Sequence, residues 1–212
     1  MSIQIHDTLA GRKRELVPLE PGKLGVYVCG PTVYDFPHLG HARVYVVYDV
    51  VVRHLRARGF QVKHVRNFTD VDDKIIQRAN ERGEDPIGMA ARFADAFDRA
   101  MDALGIERPD VAPRVSGHIP EIVALIEKLV GKRYAYAPGN GDVYYAVRKF
   151  EDYGRLSRRN LDELEVGARV EPGEAKRDPL DFALWKAAKP GEPSWDRPGG
   201  AAGPGGTSSA RP

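Results

Sequence analysis

Cysteine is almost missing from this chain. Cys29 is the single one among 212 residues, so no intrachain disulfide can form. A reducing cytoplasm is the simplest compartment for such a composition. Long apolar runs are missing too: none approaches the roughly 20 residues needed to cross a bilayer, and no membrane association is expected. The first residues, Met1 to Asp7, lack a basic stretch followed by an apolar one, so no signal peptide is expected. A dominant charge is also lacking. Lys and Arg number 32 against 30 Asp and Glu, a net charge of +2, which sets up no global field for nucleic acid or membrane. What is present is ordinary for a globular chain. A hydrophobic share of 42% suffices for one sizeable core, or one core with an attached subdomain.

The elements alternate. Leu24 to Cys29 is short, apolar and rich in strand formers, and Gly30-Pro31 turns the chain after it. A helical pattern follows from about Gly40 to Arg58, with Gly59 as a stop. Phe60 to Val65 reads as a second strand. A helix then runs to about Arg82 and ends at Gly83. Asp85-Pro86 predicts a capped start with proline at the first helical position, ahead of Ala90, Phe93, Phe97, Met101 and Leu104 at helical spacing. Strand–helix–strand–helix order predicts an α/β fold, half of a doubly wound nucleotide-binding sheet. Near Pro113 the character changes. A helix is expected over 120–131, then a hairpin-like pair at 134–137 and 143–147, and an apolar run from Asp181 to Lys186. These features mark an inserted α+β subdomain.

His38-Leu39-Gly40-His41 follows the first strand and opens the first long helix. A helix N-terminus offers unpaired N–H groups and a positive dipole end, which suit phosphate. Two imidazoles flanking a glycine add donors, and the glycine admits close approach. The bland alternative is a pair of ordinary loop histidines. Cys29, ending the first strand, reads first as a buried small hydrophobe; a zinc thiolate or a nucleophile paired with a histidine are the alternatives. Asn67 to Lys74 follows the second strand and reads as a helix start, at the strand end where α/β sheets bind ligands. Thr69 and Asp70 are placed there to hold the amino and carboxyl groups of a small substrate. A calcium loop starting at Asp70 is excluded, because Lys74 and Ile75 occupy places that need an acceptor and a glycine. Arg155, Arg158 and Arg159 form either a solvated charged face or contacts to RNA phosphates.

Taken together these segments resemble cysteinyl-tRNA synthetases. Tyr27 to Asp35, closing with His38-Leu39-Gly40-His41, is similar to the opening signature of that family, and Arg66 to Ile76 to its second. Gly141-Asp142-Val143, Tyr153 to Ser157, Gly167 to Val170, Asp181 to Lys186 and Gly191 to Trp195 match in order. The resemblance implies a class I synthetase: the first half of a Rossmann-like catalytic domain over 1–112, and a connective insertion over 113–196. It implies an ATP- and Mg2+-dependent ligase that forms cysteinyl-adenylate and passes cysteine to tRNA(Cys), in the cytoplasm, as a monomer. His38 and His41 would be catalytic at the ATP phosphates. Thr32, Tyr34 and Gly40 would join them in binding ATP, and Cys29, Gly30, Thr69 and Asp70 would bind cysteine. Cys29 would be the first of four zinc ligands, zinc selecting the substrate thiolate as a soft ligand. The other three ligands, and the lysine-rich loop of the family, are not among these residues. The sequence thus predicts an inactive fragment whose half-sheet leaves an unpaired edge or an exposed apolar face. Two alternatives stand beside it: a related cysteine ligase acting on a small amine, and a non-catalytic nucleotide- or RNA-binding fragment.

The stretch 197–212 has no apolar side chain larger than alanine, so it cannot join a core. It is read as a low-complexity tail with a shifted reading frame. One GC-rich nucleotide string encodes the family's Ser-Pro-Trp-Gly-Arg-Gly-Arg-Pro-Gly-Trp-His-Ile-Glu-Cys-Ser-Ala; with its first base removed it encodes the observed tail at every position.

Overall fold

The computed structural model describes residues 2–158, 161, 175–189, 192–196 and 209–211. The chain divides into two compact units. One is Pro18–Ile119; the other joins the described residues of Met1–Val17 to those of Pro120–Pro212.

The first unit is built on a parallel pair. Strand β3 (Lys23–Val28) runs beside β4 (Gln61–Arg66), with Val28 opposite Arg66, and helix α1 (Leu39–Ala57) is the crossover between them. Parallel neighbours need such a crossover, and the apolar residues of 24–28 and 60–65 supplied the strand signal. Helix α2 (Asp73–Arg82) starts at the Asp72 cap, whose side chain accepts from the amide of Lys74, and stops at Gly83, left-handed at φ 65°. Helix α3 (Pro86–Ala103) starts at Asp85, which caps the amide of Gly88, with Pro86 in the first turn. Its Met89, Phe93, Phe97 and Met101 fill the core with Val28, Val33, Tyr45, Phe68 and Ile75. Beside β4, residues 111–114 bridge to Val65 and Phe68 in parallel.

One cation lies inside this core. Arg66 is 1% exposed, with its guanidinium carbon 4.9 Å from the ring centre of Phe97 and 5.2 Å from that of Tyr45. Asp98 pairs with it at 3.2 Å. Buried charge is tolerated only when paired, and the aromatic faces add to the pairing.

Among the described residues β3 pairs with β4 alone. Tyr27 on β3 and Val46, Val47 and Val50 on α1 are exposed. That is the unpaired edge and open apolar face expected of a half-sheet.

In the second unit β1 (Gln4–Asp7) and β2 (Arg12–Glu15) form an antiparallel hairpin. No alternation announced it: β2 is Arg-Lys-Arg-Glu, exposed throughout. Helix α4 (Ile119–Gly131) leads into β5 (Ala135–Tyr136), β6 (Val143–Tyr145) and β7 (Phe182–Ala187). The turn between β5 and β6 is the expected hairpin. Strands β8 (Trp195–Asp196) and β9 (Ser209–Arg211) complete the order β5-β6-β7-β9-β8. Of the 197–212 stretch, the described part is β9, whose backbone pairs with both β7 and β8. Pairing uses amides and carbonyls rather than apolar side chains. A composition that excludes a core therefore does not exclude a sheet. Arg159 and residues 167–170 lie outside the described residues.

Candidate active site

β3 and β4 are parallel and in register, so the loops leaving Val28 and Arg66 emerge side by side. Backbone bonds join them. The amide of Thr69 donates to the carbonyl of Pro31 (3.0 Å), and that of Val33 donates to the carbonyl of Thr69 (3.2 Å). Thr32 and Thr69 stand opposite each other in a parallel bridge. The amide of Gly30 donates to Asn67 Oδ1 at 2.8 Å. A Cβ on Gly30 would lie 1.4 Å from the Asn67 carbonyl oxygen, so only glycine lets the two loops approach this closely. Gly30, Thr32 and Thr69 are thereby gathered at one end of the sheet.

The opening of α1 uses its two histidines as caps. His38 is the N-cap, in extended conformation; its Nδ1 accepts from the amide of Gly40 (3.0 Å). His41 Nδ1 accepts from the amide of His38 (3.2 Å), closing a capping box with imidazoles in place of the usual hydroxyl and carboxylate. The ring centres are 4.2 Å apart. A nitrogen that accepts carries no proton, so in each neutral ring the proton sits on Nε2. Each histidine therefore spends one nitrogen on the helix and keeps an Nε2–H donor for a ligand. Burial, helped by the neighbouring His38, pushes the His41 pKa down and favours this neutral form. A Cβ on Gly40 would come within 2.8 Å of the His38 ring, so glycine lets the ring fold back over the first turn.

Cys29 departs from the first reading of it. It is exposed rather than buried, because β3 ends at Val28 and the next side chain stands beyond the sheet. Its carbonyl is held from inside: the Tyr45 hydroxyl donates to it at 3.1 Å. Burial pushes the Tyr45 phenol up to about 12, so it remains a donor at any ordinary pH. Among the described residues no three His, Cys, Asp or Glu side chains gather to hold a metal ion. They supply one thiol and no closed zinc site, since zinc needs three or four protein ligands.

Asp70 is buried, and its carboxylate is already engaged. Oδ1 accepts from the amide of Ser116 (3.0 Å) and Oδ2 from its hydroxyl (2.5 Å). It tethers the 115–117 turn to the second loop. Tyr34, partly exposed, lies under the ammonium of Lys74 at 5.9 Å from the ring centre. Next to it, the backbone N–H of Phe36 holds the Asp35 carboxyl below its usual value, helped by Arg78.

Asn67, Tyr45, Ser116 and Lys74 are site residues that sequence reasoning passed over. Asn67 and Lys74 bound the polar segment after the second strand, and their place at the strand end is the signal that marks them. Tyr45 reads as one more apolar residue of α1, and Ser116 lies 46 positions from its partner. Of the basic residues 155–159, Arg155 pairs with Asp152 (3.3 Å) in the other unit, and the Arg158 guanidinium there occupies the space that a Cβ on Gly11 would need.

The sequence is similar to those of known cysteine–tRNA ligases. The cysteine–tRNA ligase of Anaeromyxobacter dehalogenans (strain 2CP-C) is 80% identical over 205 residues, covering 97% of this chain and 43% of that protein. The cysteine–tRNA ligase of Thioalkalivibrio sulfidiphilus (strain HL-EbGR7) is 58% identical over 203 residues, covering 96% of this chain and 44% of that one. The chain thus spans less than half the length of the relatives it matches. Among solved structures, Mycobacterium tuberculosis methionyl-tRNA synthetase in complex with methionyl-adenylate aligns over 58% of this chain and 25% of its own, with 25% identity and a TM-score of 0.48. The family described as tRNA synthetases class I (C) catalytic domain matches residues 15–207. With its parallel β3–α1–β4 core and paired histidine caps, the chain belongs to that class I synthetase catalytic-domain family.

Proposed function

We propose that Pro18–Ile119 is the nucleotide- and cysteine-binding half of a cysteine-activating site, and that the reaction it serves is ATP-dependent cysteinyl-adenylate formation followed by transfer to tRNA(Cys). One observation carries this reading. His38 and His41 cap α1 through Nδ1 and each retain an Nε2–H donor at the positive end of a long helix. When a nucleophile attacks the α-phosphate of ATP, charge grows on its oxygens. Donors fixed beforehand by the helix cap stabilise that charge without reorganising. Gly40 leaves room for the phosphates. Thr32 and Tyr34 line the same loop, with the Lys74 ammonium beside Tyr34 adding a positive charge. Cys29 and Gly30, with Thr69 across the bridge, form the side that would receive cysteine, and Asp70 acts there by fixing the second loop. Zinc, when bound, would supply a soft ligand for the substrate sulfur; Cys29 is the one residue here that would hold it. Mg2+ would accompany ATP as part of the substrate.

The other three zinc ligands and the lysine-rich loop that would complete activation are not among these residues. The chain alone is therefore expected to bind ATP and to show little cysteine-dependent ATP–pyrophosphate exchange and weak zinc binding. Equilibrium dialysis with labelled ATP tests the reading: binding by the chain that disappears in His38→Asn with His41→Asn supports it, and no binding, or binding indifferent to both substitutions, overturns it. Robust exchange with stoichiometric zinc would overturn the incomplete-site part. Where exchange is measurable, offering tRNA against an amino-sugar acceptor separates the tRNA ligase from a small-amine ligase.

A further inference from the structure

The second unit holds a cavity of about 780 Å³ between the end of α4, the β5–β6 pair and the 177–181 segment. Four cations line it, Arg133, Arg148, Lys149 and Arg177, against two acids, Asp178 and Asp181.

The acids are spent on the wall. Asp181 is buried, with Oδ1 accepting from the amide of Val147 (3.0 Å). Its Oδ2 accepts from the Tyr136 hydroxyl (2.7 Å) and the amide of Asp178 (3.3 Å). The Tyr136 oxygen in turn accepts from the amide of Arg177 (2.6 Å). Asp178 accepts from Arg148 Nε (2.8 Å) and the amide of Leu180 (2.9 Å). All four oxygens of these two carboxylates are thus directed into the protein frame or onto Arg148.

Arg133, Lys149 and Arg177 keep their charge for something else: among the described residues none has a carboxylate within ion-pair distance. Arg177 lies flat over Tyr136, its guanidinium carbon 4.1 Å from the ring centre, which leaves its N–H edge for a ligand. Arg133 sits in the left-handed region at φ 63° because it closes the end of α4: its amide donates to the carbonyl of Val130 (2.9 Å) and that of Tyr134 to the carbonyl of Leu129 (2.9 Å).

We infer that this cavity is a phosphate-ester site, in which Arg133, Lys149 and Arg177 receive the phosphate of a nucleotide or of an RNA strand. Arginine forks match phosphate oxygens, and a lysine supplies a point charge beside them. The inference does not rest on the reading of the β3–β4 site, so either can fail alone.

The test uses the whole chain with two probes, AMP and a fluorescein-labelled single-stranded RNA hexanucleotide, and the double variant Arg133→Asn with Lys149→Gln. Both side chains are exposed, and asparagine tolerates the left-handed backbone, so the unfolding midpoint should not move. Binding should weaken about tenfold in the double variant. With RNA the slope of log affinity against log salt should fall by about 1.4, two contacts at about 0.7 each. A control, Arg12→Gln with Lys13→Gln on the β1–β2 hairpin, should leave affinity unchanged. AMP binding that competes with the RNA identifies a mononucleotide phosphate as sufficient; RNA binding with AMP silent identifies the polynucleotide backbone. Failure of both probes to bind below about 1 mM overturns the inference. So does wild-type affinity in the double variant, or an equal loss in the hairpin control.

Discussion

The amide of Gly30 and the side-chain carbonyl of Asn67 meet at 2.8 Å, with the Asn67 backbone oxygen occupying the place a Gly30 Cβ would take. The loop after β3 is therefore locked onto the loop after β4 by backbone approach. Gly30→Ala has to move backbone against backbone, and the expected loss is about 3 kcal/mol, the upper end of overpacking costs. Urea unfolding measures it; a loss under about 0.5 kcal/mol would mean that the loops slide apart cheaply.

His38 has two separable tasks. His38→Ala removes the cap on Gly40 and should cost about 1 kcal/mol, whereas His38→Asn restores a capping acceptor and should stay near wild type. Both should lose the Nε2–H donor and so bind ATP more weakly by an order of magnitude or more. ATP binding that follows stability instead would show that the ring acts only as a cap.

Acid should weaken the first unit well above the carboxylate range. Burial lowers the pKa of His41 and of His64, with Arg66 a further cause for His64. A histidine whose folded pKa lies below its unfolded value of 6.5 takes up protons more readily when unfolded. The stability tied to its neutral form is fully present above about pH 6.5 and drains as pH falls through the folded value. Asp35 is lowered, first by the Phe36 amide, and Asp102, first by the Arg108 side chain; their contributions disappear only below the ordinary value of 3.8. Urea midpoints compared at pH 7.5 and 5.5 should thus drop in wild type, and drop less in His64→Gln. An unchanged midpoint would contradict the burial of both rings.

Cys29 is exposed and is the one thiol in the chain, which makes it a clean reporter. Under native conditions an aromatic disulfide reagent should modify one equivalent at a rate within about tenfold of a free thiol. Tyr45→Phe removes the hydroxyl that holds the Cys29 carbonyl and should cost about 1 kcal/mol. A thiol that reacts only in denaturant would show that the end of β3 is covered.

The shifted-frame reading of 197–212 makes a prediction at the level of DNA. Sequencing the gene across codons 190–215 should show that one inserted base opens a frame encoding Trp-His-Ile-Glu-Cys and continuing beyond. If no such frame exists, the tail is a genuine segment, and its β9 pairing with β7 and β8 becomes its explanation.

Much of this molecule is local chemistry and was legible as such. Asp72, Gly83, Asp85 and Pro86 begin and end helices because capping and fixed φ act within a few residues, and the structure places α2 and α3 between them. The β3–α1–β4 unit followed from apolar strands flanking a long helical pattern, and the His38–His41 spacing put both rings on one helix start. Other features were not legible, for equally physical reasons. The β1–β2 hairpin carries no apolar alternation, because it is held by amides and by the Arg14–Asp7 pair. Cys29 is exposed because β3 stops one residue earlier than its composition suggested, a matter of where the register with β4 ends. Arg66 inside a cage of aromatic rings, Asp70 turned onto Ser116, and the gathering of Arg133, Lys149 and Arg177 around one cavity depend on residues tens of positions apart. The sequence by itself determined which segments become helix or strand and which side chains could carry chemistry, because those preferences are set by near neighbours. Only the tertiary structure decided which carboxylates are already engaged and which donors remain for a ligand, because hydrogen bonds and ion pairs are exhausted by whatever the fold brings within about 3 Å.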